Sequence, residues 1–170
     1  GGRTGGTSWS DPSGNLWLFG GIGNGSGSAS GYLNDLWKFS TSSGMWTWVN
    51  GTNTFNQPGD YGTKGTAAAS NVPNPRLGSN SWTDASGNFW LFGGQGYSNG
   101  AAGSLNDLWR FSPDSEMWTW VSGSSTINQS GVYGSKGVAA ASNVPGARRS
   151  GTSWTDPSGN LWLFGGQGFG

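Results

Sequence analysis

The sequence predicts an all-β protein built from repeated four-stranded antiparallel sheets, and three observations carry that prediction. First, the 170-residue chain copies itself at a spacing of about 72 residues: "NDLW" stands at 34–37 and 106–109, "MWTWV" at 45–49 and 117–121, and "AAASNVP" at 67–73 and 139–145. Second, the runs between turn signals are short and rich in aromatic and β-branched residues. Third, the composition pairs 34 glycines with 12 tryptophans. Ordering a glycine costs roughly 0.5–1 kcal/mol relative to alanine. A buried aromatic side chain removes on the order of 150–250 Å² from water, at about 25 cal/mol per Å², and so offsets several glycines. A Gly/Ser linker would lack those aromatics.

Each element follows from local wording. Strand A is "GTSWT" at 151–155, with 7–10 and 79–83 in the same role. A "DPSGN" or "DASGN" turn comes next, in which Pro157 presets the first turn angle and Gly159 supplies a left-handed position. Strand B is "LWLF" at 161–164, inside a motif written "NLWLFGG" at 15–21, "NFWLFGG" at 88–94 and "NLWLFGG" at 160–166. Strand C is "LNDLWRF" at 105–111, and strand D is "MWTWV" at 117–121. Only the short "GTAAASN" and "GVAAAS" segments hint at a helical period.

Comparing residues 33–98 with 105–170, about two-thirds of positions match, which indicates amplification of one unit. The units run 1–78, 79–150 and 151–170, the last holding strands A and B alone. The extra residue of the first unit falls between Gly21 and Leu33. Runs such as "WLF" are apolar on both faces, which implies sheets stacked on each other. Four-stranded sheets repeated along a chain and stacked radially make a β-propeller, with a sandwich as the rival. Two and a half blades do not close a ring of four to eight. The expectation is therefore a piece of a longer array, or a protomer that completes its sheets with other copies through the bare last strand.

The unit resembles the kelch repeat of bacterial propellers, including the galactose-oxidase-like type. The resemblance rests on the double glycine after strand B (Gly20–Gly21, Gly93–Gly94, Gly165–Gly166). It rests also on an aromatic followed after six residues by Trp (Phe39 to Trp46, Phe111 to Trp118) and on an Arg before strand A (Arg3, Arg76, Arg148). The unit is longer than the usual kelch repeat of about 50 residues. The resemblance implies a propeller of four-stranded blades. It does not carry over copper chemistry, which in that family uses His and Tyr ligands and a Cys–Tyr crosslink: the chain has no His and no Cys.

Composition excludes more. Eight basic and eight acidic residues balance to zero, so there is no basic nucleic-acid footprint and no polybasic membrane patch. No run is long and apolar enough for a transmembrane helix. The Gly-rich segments keep neither G-x-G-x-x-G nor G-x-x-x-x-G-K-[ST] spacing, so the double glycine reads as a joint with positive backbone angles and not as a phosphate cradle. Asp11, Asp84 and Asp156 sit in the A–B turns, where Asp caps its own backbone. Asp35 and Asp107, at the mouth of strand C, are expected to pair with Arg76 or Arg148 of a neighbouring unit. Asp60 becomes Val132 one unit on, which weakens a metal reading. No catalytic residue, metal ligand or cofactor is assigned.

Loop lengths are uneven. The A–B and C–D turns are tight, the B–C connection has about ten residues and the D–A connection about 27. The long connection repeats its wording at 56–73 and 128–145, placing Asn56, Gln57, Tyr61 and Lys64, and again Asn128, Gln129, Tyr133 and Lys136, at equivalent points. Two readings stand for these eight residues: they pack the connection onto the sheets, or they form a glycan- or protein-binding face. Trp46 and Trp118 are expected to pack between sheets, with Trp48 and Trp120 on the same strand faces.

The functional expectation is a non-enzymatic binding scaffold on a bacterial surface or secreted protein. A self-assembling unit, partnered by copies of itself or further blades, is the alternative. A fragment of a larger propeller enzyme, with its catalytic residues elsewhere, is the second.

Overall fold

The computed structural model describes residues 1–24 and 29–170. Its described residues are all β-strand, turn and irregular chain, with no helix and hence none long and apolar enough to cross a membrane.

Sheet 1 contains β1 (Arg3–Thr4), β2 (Thr7–Ser10), β3 (Leu16–Asn24), β4 (Ser30–Ser40) and β5 (Met45–Asn50). β1 and β2 are two halves of strand A, each paired antiparallel with one half of β3. Sheet 2 repeats the plan with β7 (Arg76–Leu77), β8 (Asn80–Thr83), β9 (Phe89–Ser98), β10 (Ala101–Ser112) and β11 (Met117–Ser122), after a short preceding strand, β6 (Ala67–Ala68). The third copy holds β12 (Arg148–Arg149), β13 (Thr152–Thr155), β14 (Leu161–Phe164) and β15 (Gln167–Gly168), pairing as β12–β15 and β13–β14.

Strands B and C are longer than the sequence reading gave them. β9 runs on through Gly93–Gly94 to Ser98, and β10 begins at Ala101, so a two-residue turn replaces the ten-residue connection. That turn is Asn99–Gly100, both at positive φ (51° and 83°), as a type I′ hairpin requires. The corresponding stretch of the first copy, in which the extra residue falls, includes residues 25–28, which lie outside the described residues. The double glycine is thus a bulge inside a continuous strand, with register shifts between Phe19 and Gly21 and between Leu105 and Leu108.

Its positive φ is as expected: 65° and 99° at Gly20–Gly21, 61° and 102° at Gly93–Gly94, 67° and 91° at Gly165–Gly166. A second reason is close approach. A Cβ on Gly20 would meet the carbonyl oxygen of Arg76 at 2.7 Å, and one on Gly93 that of Arg148 at 2.6 Å. A Cβ on Gly165 meets nothing within 4 Å among the described residues.

The core lies between sheets 1 and 2. Trp9 stacks on Phe89 (centroids 5.3 Å apart), Trp17 packs on Phe111 (5.4 Å) and Phe19 on Trp118 (5.4 Å). Strand A of each copy also bonds to strand A of the next: Gly78 N donates to Gly5 O, and Ser150 N to Gly78 O.

Trp118 is fully buried, as expected of a residue between sheets, but Trp46 is 53% exposed. The physical reason is position: among the described residues no sheet packs on the outward face of sheet 1, so that face, including Leu16 and Trp46, is open. The opposite end mirrors this, with Trp154, Trp162 and Phe164 exposed where their counterparts Trp9, Trp17 and Phe19 are buried.

Candidate functional site

The densest polar cluster gathers on Asp107, which strand C carries at the bulge of β10. Arg76 reaches it from β7 and forms a bidentate pair, Nη1 to Oδ1 at 2.7 Å and Nη2 to Oδ2 at 2.6 Å, with both side chains fully buried. Arg76 also donates to Gly93 O (3.0 Å) and Asn74 O (2.8 Å), so its fork meets the backbone of the glycine bulge. Trp109 Nε1 donates to Oδ2 at 2.8 Å. The Tyr61 hydroxyl donates to the same oxygen at 2.5 Å and accepts from Asn74 Nδ2 at 3.1 Å.

A buried ion pair is costly unless its remaining lone pairs are met. Here both carboxylate oxygens are occupied, and Tyr61 seals the pair. Burial, followed by the charge of Asp107, pushes the Tyr61 hydroxyl well above the usual phenol range. For Arg76, burial works against the charge, but Asp107 outweighs it and holds the guanidinium above its ordinary value. Tyr61 stays neutral and donating, and Arg76 stays charged. The arrangement clamps chain to sheet, with no exposed atom of the ion pair at which a substrate could bind.

What it clamps is the long D–A connection. Residues 61–71 run along the outer edge of β11. Tyr61 lies between Trp109 (4.8 Å) and Trp120 (5.0 Å). Lys64 donates to Gly123 O at 2.9 Å and sits 4.3 Å above the Trp120 ring. Gly65 N bonds Trp120 O, and Ala67–Ala68 pair with Thr119 and Trp118 as β6. The segment with a helical hint is therefore a short edge strand, which covers the open edge of sheet 2.

The eight candidate binding residues separate by place. Asn56 and Asn128, at φ 56° and 61°, use their Oδ1 atoms to accept from Tyr32 N and Ser104 N (both 2.9 Å), which fixes the connection to β4 and β10. Gln57 and Gln129 donate locally to Phe55 O (3.3 Å) and Ile127 O (2.9 Å). Tyr61 and Lys64 belong to the clamp. Their counterparts Tyr133 (65% exposed) and Lys136 are exposed, because among the described residues no strand C or D packs against them.

Of the charged pairs expected, Arg76–Asp107 forms. Asp35 instead takes Arg3, with Nη1 to Oδ1 at 2.8 Å and Nη2 to Oδ2 at 2.7 Å. Each pair ties strand A to strand C within one sheet. Arg148 keeps the equivalent bonds, to Gly146 O and Gly165 O, without a carboxylate.

The A–B turns match expectation. Asp156 accepts from Ser158 N, Asn160 N and Nδ2, and Trp162 Nε1, and Asp11 and Asp84 repeat the pattern. Hydrogen bonds from Asn160 and Trp162 lower the Asp156 carboxyl to about 2. At Asp11 and Asp84 burial pushes upward, but the bonds from Trp17 and Trp90 and from the turn outweigh it, and both carboxyls are lowered. No group of three or more His, Cys, Asp or Glu side chains that could hold a metal occurs among the described residues.

Sheet edges, clamp and stacked aromatics define an all-β repeat protein with two open end faces. No protein-family model matches the chain, and no curated protein matches it. Among solved structures, the one titled "Structure of YjhT" is similar at 17% identity and a TM-score of 0.52, over 72% of this chain and 38% of that one. This likeness concerns the fold alone, and the chain spans well under half of that structure's length.

Proposed function

We propose that this chain is a non-enzymatic, kelch-like propeller scaffold that works by stacking on further four-stranded blades, those of other copies included. The observation that carries the reading is the match between its two open faces. Phe164, 73% exposed at one end, is the counterpart of Phe19; Trp46, 53% exposed at the other, is the counterpart of Trp118. Inside the chain, Phe19 and Trp118 pack together at 5.4 Å. The same sequence relationship thus offers one face to the other, head to tail, and such a heterologous contact builds rings or filaments. The propeller reading is supported by the strand A contacts at Gly5, Gly78 and Ser150, which draw the A strands of successive sheets together while the D strands lie outside.

Sedimentation velocity across a concentration series tests the reading. Association that grows with concentration and is lost in Phe164→Asp is expected; a monomer throughout contradicts it.

Protein or carbohydrate binding remains a second reading for residues 128–146 alone, where Tyr133 and Lys136 are exposed. Alanine at Tyr133 should then weaken any ligand found. A secreted or surface location on a bacterial protein is part of the proposal; it rests on the kelch resemblance and on the Gly-, Ser-, Thr- and Asn-rich composition.

A further inference from the structure

The clamp that closes on sheet 2 has an unfilled counterpart on sheet 1. Arg3, Asp35, Trp37 and Trp48 occupy the places of Arg76, Asp107, Trp109 and Trp120. Their internal bonds are the same. Arg3 holds Asp35 in a bidentate pair and donates to Gly20 O, and Trp37 Nε1 donates to Asp35 Oδ2 at 2.7 Å. On sheet 2 the corresponding oxygen has a third donor, the Tyr61 hydroxyl. Asp35 Oδ2 has no tyrosine among the described residues. In its place is an open pocket of about 200 Å³, bordered by Arg3, Asp35, Trp37 and Trp48. Beyond it, β5 is an open edge: Trp48 is 46% exposed and Met45 64%, and no strand pairs with the outer side of β5 among the described residues.

We infer that this pocket and the adjoining edge of β5 form a docking site for an extended peptide segment reading Tyr-Gly-x-Lys-Gly-x-Ala-Ala. The tyrosine hydroxyl donates to Asp35 Oδ2 while its ring packs against Trp37 and Trp48, which stack on each other with centroids 6.3 Å apart. The lysine then sits over Trp48, and the two alanines pair with β5 at Trp46 and Thr47. This is strand addition to a sheet edge with one side-chain anchor. The occupant is specified by what fills the same pocket 72 residues on, where Tyr61, Lys64, Ala67 and Ala68 make these contacts. A generic apolar peptide would leave the third acceptor site of Asp35 unmet. The inference is independent of blade stacking, since it concerns the edge of sheet 1 and not its face.

The test uses a fluorescein-labelled synthetic peptide of residues 56–73 and the intact chain, followed by anisotropy. Hydrogen exchange of β5 is read in parallel. Saturable one-to-one binding is expected, with slowed exchange at 45–50. Affinity should fall by roughly fivefold or more for a peptide carrying Tyr61→Ala, and likewise for the protein variant Trp48→Ala. The peptide variant leaves the protein untouched, so its result does not depend on folding. No saturable binding up to about 1 mM peptide, or binding that either change weakens by less than about fivefold, overturns the inference. Because self-association is read separately by sedimentation, failure of docking and failure of stacking are distinguishable.

Discussion

The Tyr61 hydroxyl meets Asp107 Oδ2 at 2.5 Å, across 46 residues of sequence, and closes a fully buried ion pair. A hydrogen bond to a charged group contributes about 1.5–3 kcal/mol. Tyr61→Phe keeps the ring between Trp109 and Trp120 and removes that donor. It should lower unfolding free energy by about 2 kcal/mol in urea titration, with a double-mutant cycle against Asn74→Ala showing coupling. A loss below a few tenths of a kcal/mol would mean that the clamp contributes no stability.

The two Arg–Asp pairs differ in burial and should differ in effect. Removing one partner of a buried pair costs about 3–5 kcal/mol, because the other charge is left stranded. Arg76→Met should fall in that range. Arg3→Met should cost less, roughly 1–2 kcal/mol, since the Arg3 side chain is 15% exposed and water reaches Asp35 through the open pocket. Equal losses in chemical denaturation would contradict the distinction.

The three double glycines share one conformation but not one neighbourhood. Alanine at a positive φ costs about 1–2 kcal/mol by itself. Gly165→Ala should cost no more than that. Gly93→Ala adds a clash, since its Cβ would lie 2.6 Å from the Arg148 carbonyl oxygen, and should cost on the order of 3 kcal/mol. Thermal unfolding of the two variants, run side by side, decides it.

Acid should loosen the A–B turns. Asp156 has its folded-state carboxyl lowered from 3.8 to about 2, so its contribution is fully present above pH 3.8 and is lost as pH falls through 2. Asp11 and Asp84 are lowered in the same direction. Carbon-detected NMR titration of the Asp156 carboxyl should give a midpoint near 2, and Trp162→Phe, which removes one donor, should raise it. A midpoint at or above 3.8 would contradict the turn chemistry.

Much of this was legible in the sequence because the repeat compares each position with a second copy of itself. The strands, the Asp-capped turns and the positive φ of the double glycines followed from local chemistry, which needs only near neighbours. The B–C hairpin was missed although its signal, Asn99–Gly100 between strand-forming runs, was present; the double glycine read as a strand end. The fate of Trp46 and Trp118 was not separable by sequence, since identical words are buried or exposed according to whether a neighbouring sheet exists. Tyr61 and Tyr133 show the same limit. Both stand in the same motif, yet one seals a buried carboxylate and the other faces solvent, because sheet 2 presents its strands to Tyr61 while none packs on Tyr133 among the described residues.

The stacking of one end face on the other is most directly tested by mixing two blocked variants. Trp46→Asp closes the leading face and leaves Phe164 free; Phe164→Asp closes the trailing face and leaves Trp46 free. Each alone should sediment as a monomer, and an equimolar mixture should form a one-to-one dimer through the single intact pair of faces. A mixture that stays monomeric at concentrations where the unmodified chain associates, or either variant dimerising alone, would contradict head-to-tail stacking.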